Sequence, residues 1–301
     1  SVGPHVTDRS KESLEECQEL DFVIRKEPEI TFKELVLSLE KGESLKGVRG
    51  IVYRNRRGII SNEDRPYIKN LDELPIPRHD LLPLDKYVFP FISSKFTFVI
   101  SSRGCPYHCT FCRQKIMWSK MFRFRSADHI IKELELLKSI GVDNVLFQSD
   151  TFTLNRKIIL ELCQKIINKN LNIKWGCNSR VDTIDDEMLY WMKKAGCWMI
   201  AYGIESGSQE VLDKCRKDQT IKQIVEAINL TYKHGIKIYG YFIIGLPGET
   251  KETIKETINL AKKLPITFAI FHVASPYPGT DLYDEAKENN WLNLSHDLEK
   301  V

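Results

Sequence analysis

Between residues 103 and 115 the chain reads RGCPYHCTFCRQK, which sets Cys105, Cys109 and Cys112 at C-x3-C-x2-C spacing. Thiolates are soft ligands, and three on one short loop can converge on a zinc ion or an iron–sulfur cluster. A [4Fe-4S] cube held by three protein thiolates keeps one iron for an exogenous ligand, which suits catalysis better than electron storage. Zinc asks for a fourth ligand, His108 or a distant Cys or His. His108 directly precedes Cys109, so both ligating at once is sterically awkward. Three unligated thiols, the remaining reading, would leave the clustering beside Gly104 and Pro106 without a cause.

The other five cysteines, at positions 17, 163, 177, 197 and 215, are scattered. Disulfide frameworks belong to small secreted domains, whereas this chain has 301 residues and opens on SVGPHVTDRS, with no signal-peptide pattern. Reduced thiols are expected, with Cys17, Cys163, Cys177 and Cys197 packed in helix-like or apolar runs. A net charge of +3 offers no footprint for nucleic acid. No run of about 18 apolar residues argues for a membrane span. A cytoplasmic protein is expected. The start lacks Met and reads as the later part of something longer.

A regular alternation must position the cysteine loop. Strand-like runs at 95–101, 144–150, 173–180, 198–206, 237–245 and 266–274 are apolar and rich in β-branched or aromatic residues. Between them lie helical patterns. One has Ser126 as its cap, Ile130, Ile131, Leu134 and Leu137 on one face, and Gly141 as its stop. Six strand–helix units predict an α/β fold, a partial (β/α)6 TIM-like barrel. Sites in such folds lie at the carboxyl ends of the strands. Cys105, Asp150, Arg180 and Glu205 all fall there. The front differs: a short strand and a helix from about Ile30, then a hairpin turning at Gly58, then a connecting segment with three prolines, NLDELPIPRHDLLPLDKY.

The cysteine loop, with Phe111 before its last Cys, resembles the cluster motif of the radical S-adenosylmethionine (SAM) superfamily. The resemblance runs over residues 95–289 through FQSDTFT, GIESGSQEVLDKCRK, YFIIGLPGET and PYPGTDLY. It implies a [4Fe-4S] cluster on Cys105, Cys109 and Cys112 whose open iron takes the amino and carboxylate groups of SAM. It further implies Asp150 for the SAM amino group, Arg180 for the methionyl carboxylate, and Glu205 for ribose hydroxyls or the amino group. Adenine would lie near Phe111 and the backbone from Ile243 through Gly245 to Leu246. Trp118, Tyr239, Tyr241 and His272 are candidates for a lumen, with core packing as the alternative. Arg123 and Arg125 read as a solvated loop.

The front segment resembles the junction in radical SAM enzymes that carry an N-terminal cobalamin-binding domain, the methyltransferases and the anaerobic porphyrin-ring cyclase. Residues 1–45 then correspond to the last part of a doubly wound cobalamin domain, 46–94 to hairpin and linker, 95–290 to the radical SAM core and 291–301 to a tail. Cobalamin is implied for the parent protein, although residues 1–301 contain no D-x-H-x2-G segment to ligate cobalt. A small-molecule substrate and an external one-electron reductant of flavodoxin or ferredoxin type are the implied partners.

Overall fold

The computed structural model describes residues 1–56, 58–87, 89, 92, 94–119 and 121–292; most of the expected tail, from 293 on, lies outside them. Two compact units result. One combines residues 1–69, 104–121 and the chain from Ser275; the other combines 70–103 and 122–274.

The first unit opens with α1 (Pro4–Asp8) and α2 (Ser10–Glu16), followed by β1 (Phe22–Ile24), α3 (Pro28–Glu40), β2 (Ile51–Asn55) and β3 (Gly58–Ser61). The α3 helix starts at Pro28, two residues before the expected Ile30, because a proline at the first turn gives up only an N–H that lacks a helical partner. Strands β1, β2 and β3 form one antiparallel sheet, with Asn55 paired to Gly58 at the hairpin end. On the other side of β1, Val2 bridges Ile24 in parallel. The sheet buries Ile24, Ile51 and Tyr53 against Leu35, and Val23 and Val52 against Leu14. β1 lies before residue 45 and its hydrogen-bonded partner β2 after it.

The second unit carries six parallel strands. In chain order the elements are β4 (Phe96–Val99), β5 (Ser102–Arg103), then in the first unit α4 (Gln114–Trp118), and again in the second β6 (Arg123–Phe124), α5 (Ala127–Ser139), β7 (Asn144–Phe147), α6 (Arg156–Asn168), β8 (Lys174–Ser179), α7 (Asp186–Lys194), β9 (Cys197–Glu205), α8 (Gln209–Lys214), α9 (Ile221–Lys233), β10 (Lys237–Ile244), α10 (Lys251–Lys263) and β11 (Phe268–Val273). Each strand of the sheet lies beside its chain predecessor, in the order β11-β10-β9-β8-β7-β4. A doubly wound sheet reverses order at a switch point; this one never does. All right-handed crossovers then fall on one face, and the sheet curls into the expected partial barrel.

Alternation along the strands separates the two faces. Val145 and Phe147 join the helix-side core with Ile131, Leu134, Ile159 and Leu162, while Leu146 points the other way to Phe96, Met199, Ala201 and Tyr239. The expected cap is present, Ser126 Oγ accepting from the His129 N–H at 3.1 Å.

The expectation of a solvated loop at Arg123 and Arg125 is overturned, since both are buried. Arg125 Nη1 pairs with Glu133 Oε2 at 2.5 Å, and His79 Nε2 meets Glu133 Oε1 at 2.7 Å. Arg125 Nε also donates to His129 Nδ1 at 3.0 Å. The proline-rich segment is thus fastened to α5 by a buried charge cluster. Cys17 is exposed after α2, contrary to expectation, whereas Cys163, Cys177, Cys197 and Cys215 are buried. Burial pushes the Cys163 and Cys177 thiols up, which keeps them protonated and inert.

Candidate active site

The cysteine loop belongs to the first unit, and its geometry is set by its two ends. Gly104 has φ +88°, and a Cβ there would lie 2.0 Å from the Met121 carbonyl oxygen. Only glycine lets the chain enter the loop in this conformation and close on Met121. Within the loop the Cys112 N–H donates to the Cys109 carbonyl at 3.1 Å. The PYPGTDLY segment braces it from outside: the Leu282 N–H reaches the Thr110 carbonyl at 3.0 Å, and the Arg113 guanidinium lies 4.8 Å from the Tyr277 ring centre. Lys115 and Asp281 form an ion pair, Asp281 opening α11 (Asp281–Glu288). Cys105, Cys109, Cys112 and Phe111 are half-buried, as is Trp118 on α4.

Within the second unit, polar residues gather where the strands end. Ser101 and Ser149 share a 2.6 Å hydrogen bond after β4 and β7, and half-buried Asp150 follows. Past β7, Thr153 meets Ser179 Oγ and, at 2.6 Å, Thr183 Oγ1. After β8, Arg180 is buried and binds Asp182 through a two-pronged contact, Nε–Oδ1 and Nη2–Oδ2 both 2.9 Å. Its Nη2 also donates to the Lys217 carbonyl at 2.7 Å. Burial opposes ionisation of Asp182, but hydrogen bonds from Arg180 and Gln219 outweigh it and hold the carboxyl below its ordinary range.

Glu205 ends β9 at φ +65°, a strained conformation for a residue with a side chain. A β-bulge sets it there: Tyr241 pairs with Gly203 and Phe242 with Glu205, leaving Ile204 as the extra residue. Its Oε1 accepts from Lys217 Nζ at 2.7 Å, both groups being buried. Sequence reasoning singled out Glu205 but not the Lys217 that pairs with it, although both stand in the GIESGSQEVLDKCRK run. On β10, Ile243 pairs with His272, and Gly245 at φ +92° donates its N–H to Glu249. The rings of Tyr241 and His272 lie 5.8 Å apart. Burial pushes the Tyr239 and Tyr241 hydroxyls up, so they stay protonated donors.

The family model of the Radical SAM superfamily matches residues 99–261, more than half of the chain. The chain belongs to the radical SAM superfamily. It is 42% identical over 291 residues to an uncharacterized methyltransferase of Pyrococcus horikoshii, covering 96% of the chain and 63% of that protein. It is 31% identical over 289 residues to the anaerobic magnesium-protoporphyrin IX monomethyl ester cyclase of Rubrivivax gelatinosus, covering 94% and 52%. The chain thus spans between half and two thirds of these relatives' lengths. Among solved structures, the radical SAM methyltransferase TsrM of Kitasatospora setae aligns with TM-score 0.80 at 17% identity, over 96% of the chain and 57% of TsrM. The cobalamin-dependent radical SAM enzyme OxsB aligns with TM-score 0.74 at 22% identity, over 96% of the chain and 42% of OxsB. At such identities the likeness is one of fold.

The superfamily uses a [4Fe-4S] cluster and SAM, and the residues fit the cluster by donor type, spacing and a shared loop. Among the described residues, no three His, Cys, Asp or Glu are gathered closely enough to bind a metal by themselves. The loop that carries the three cysteines closes through Gly104, at a φ and a distance from Met121 that leave no room for a side chain. Gly104→Ala places a methyl group on Met121's carbonyl and is expected to cut iron incorporation at least tenfold, read as iron and acid-labile sulfide per chain. Full loading of this variant would refute the scaffold argument. No helix among the described residues is long and apolar enough to cross a membrane.

Proposed function

We propose that this chain is the radical-generating core of a cobalamin-dependent enzyme that, in its full-length form, transfers a methyl group to an unactivated carbon. The observation that carries the reading is the loop of three thiolates, which leaves one iron of a cluster for the amino and carboxylate groups of SAM. When bound, the cluster supplies the electron that cleaves SAM to methionine and a 5′-deoxyadenosyl radical, the species that takes hydrogen from substrate. The chain's own residues orient SAM and exclude water. Phe111 and the backbone from Ile243 to Gly245 are assigned to adenine, Asp150 to the amino group and Glu205 to ribose. For Arg180 to take the methionyl carboxylate, that carboxylate must replace Asp182 on the guanidinium fork.

Residues 1–45 are proposed as the end of a cobalamin-binding domain. Support comes from Val2 and β1, which run parallel with α1 and α2 as the crossover. Cobalamin in the parent would supply the methyl group. The 31% identity to the anaerobic cyclase favours a second reading, oxidative ring formation. A small-molecule substrate and a flavodoxin- or ferredoxin-type reductant complete either system.

Trideuteromethyl-SAM separates the readings when given to the full-length parent. Label in the product is the expected result. An unlabelled product formed with one 5′-deoxyadenosine each would replace methyl transfer by the cyclase reading.

A further inference from the structure

On the reading that this chain is a radical SAM core acting on a small molecule at the concave face of its sheet, we propose the chemical class of that substrate. It carries a neutral planar ring with an amide-like edge, and Gln148 and Asn178 are the residues that select it. Strand register sets them side by side. Leu146 pairs with Phe98 on β4 and with Gly176 on β8, and Asn178 pairs with Ala201 on β9. Past the end of β7 the Gln148 N–H donates to the Val99 carbonyl at 2.9 Å, so the ladder continues and Gln148 falls between Ile100 and Asn178. Leu146 and Ala201 belong to the cluster on the concave face, whereas Phe147 and Cys177 point to the helices. Alternation therefore puts both carboxamides on the concave face, about 4.8 Å apart from strand to strand. Neither has a hydrogen-bond partner among the described residues.

Their surroundings are apolar. Toward the strand starts the floor is closed, since a Cβ at Gly176 would lie 2.9 Å from Met199 Cε and 3.2 Å from Leu146 Cδ2. On the β4 side, Phe98 and Ile100 are 43% and 48% exposed, a ready contact for a ring. Charge is kept away from this row. Lys174 and Lys237 share its face but are the first residues of β8 and β10. At the strand ends above, Arg180 is turned to Asp182, and Asp150 is assigned to the SAM amino group. Each carboxamide offers a carbonyl acceptor and N–H donors, so two side by side match a planar group that presents one of each. An ionic group here would lose hydration without an opposite charge to receive it. A carboxamide, a lactam or a heteroaromatic N–H/C=O edge fits; a carboxylate, a phosphate or an ammonium group does not.

The test uses the anaerobically reconstituted chain with SAM present and three probes that share a ring and differ in charge: 2-naphthamide, 2-naphthoate and 2-naphthamidine. Affinities are read by ligand-observed NMR, and 5′-deoxyadenosine is followed in parallel. The wild-type chain is expected to bind the amide at least tenfold more tightly than either ion. Gln148→Glu and Asn178→Asp should each turn the preference to the amidine, a gain that misfolding cannot produce. Phe98→Ala should weaken all three probes roughly fivefold and keep their order, because it removes ring contact alone. An amide that binds no better than the ions, or a carboxylate variant that keeps the wild-type order, would overturn the proposal. SAM cleavage without any preference among the probes removes this assignment and leaves the radical SAM reading in place. Absence of 5′-deoxyadenosine from the wild-type reaction removes both.

Discussion

Replacing Cys105, Cys109 or Cys112 by Ala is expected to abolish SAM cleavage in each case, with 5′-deoxyadenosine falling below detection. The wild-type chain, reconstituted without oxygen, should hold about four irons and four sulfides. With two thiolates left, two irons lack protein ligands, and the cube loses both its anchorage and the single open iron on which SAM must sit. The three substitutions should behave alike, because each removes one of three equivalent caps. They should barely alter folding, since all three cysteines are half-exposed on a loop and none contributes to a core cluster. Melting curves of the metal-free variants check this second part. One zinc per chain with no sulfide, or undiminished cleavage by any single variant, would remove the basis of the proposed function.

Glu133→Ala is expected to cause the largest loss of stability, about 3–5 kcal/mol, because it leaves Arg125 and His79 buried without their common partner. For a unit of this size the melting temperature should fall by roughly 10 °C. Exposed Arg78, paired with Asp80, is the control, and Arg78→Ala should leave the melting temperature where it was. The same cluster makes stability sensitive to acid. Burial opposes ionisation of Glu133, yet the His79 hydrogen bond and the Arg125 charge outweigh it, so its carboxyl is held below the ordinary value. A lowered carboxyl contributes stability above its unfolded-state value and loses it as pH falls through the folded one. His129 is also lowered, by burial and by Arg125, so the fold favours the neutral ring, and that contribution too is lost on acidification. Melting temperatures should therefore decline as pH drops from about 7 towards 4, and the decline should be shallower in Glu133→Ala. Equal slopes in the two proteins would contradict this account.

The sequence by itself determined the repeating unit and the metal-binding motif, because both are written locally. Burial makes the inner parallel strands continuously apolar, and the exposed edge strand β11 is apolar as well, so all six could be read, each starting within two residues of its place in the structure. The cysteine spacing carries its chemistry in eight consecutive positions. Side-chain partnerships were another matter. Arg125 looked like a loop residue beside other polar positions, and only the fold brings it to Glu133, eight residues on, and brings His79 from the proline-rich segment. Arg180 was legible as an arginine at a strand end, but not that Asp182 occupies its fork. Glu205 was legible as an acid in a Gly-flanked run, but the bulge at Ile204 and the tether from Lys217 arise from register between β9 and β10. The pairing of β1 with β2, across residue 45, is likewise carried by no local pattern. Local propensity and periodicity act over a few residues and survive in the sequence. Charge pairing, strand register and backbone strain depend on which distant segments share a buried space, and that is decided only when the chain folds.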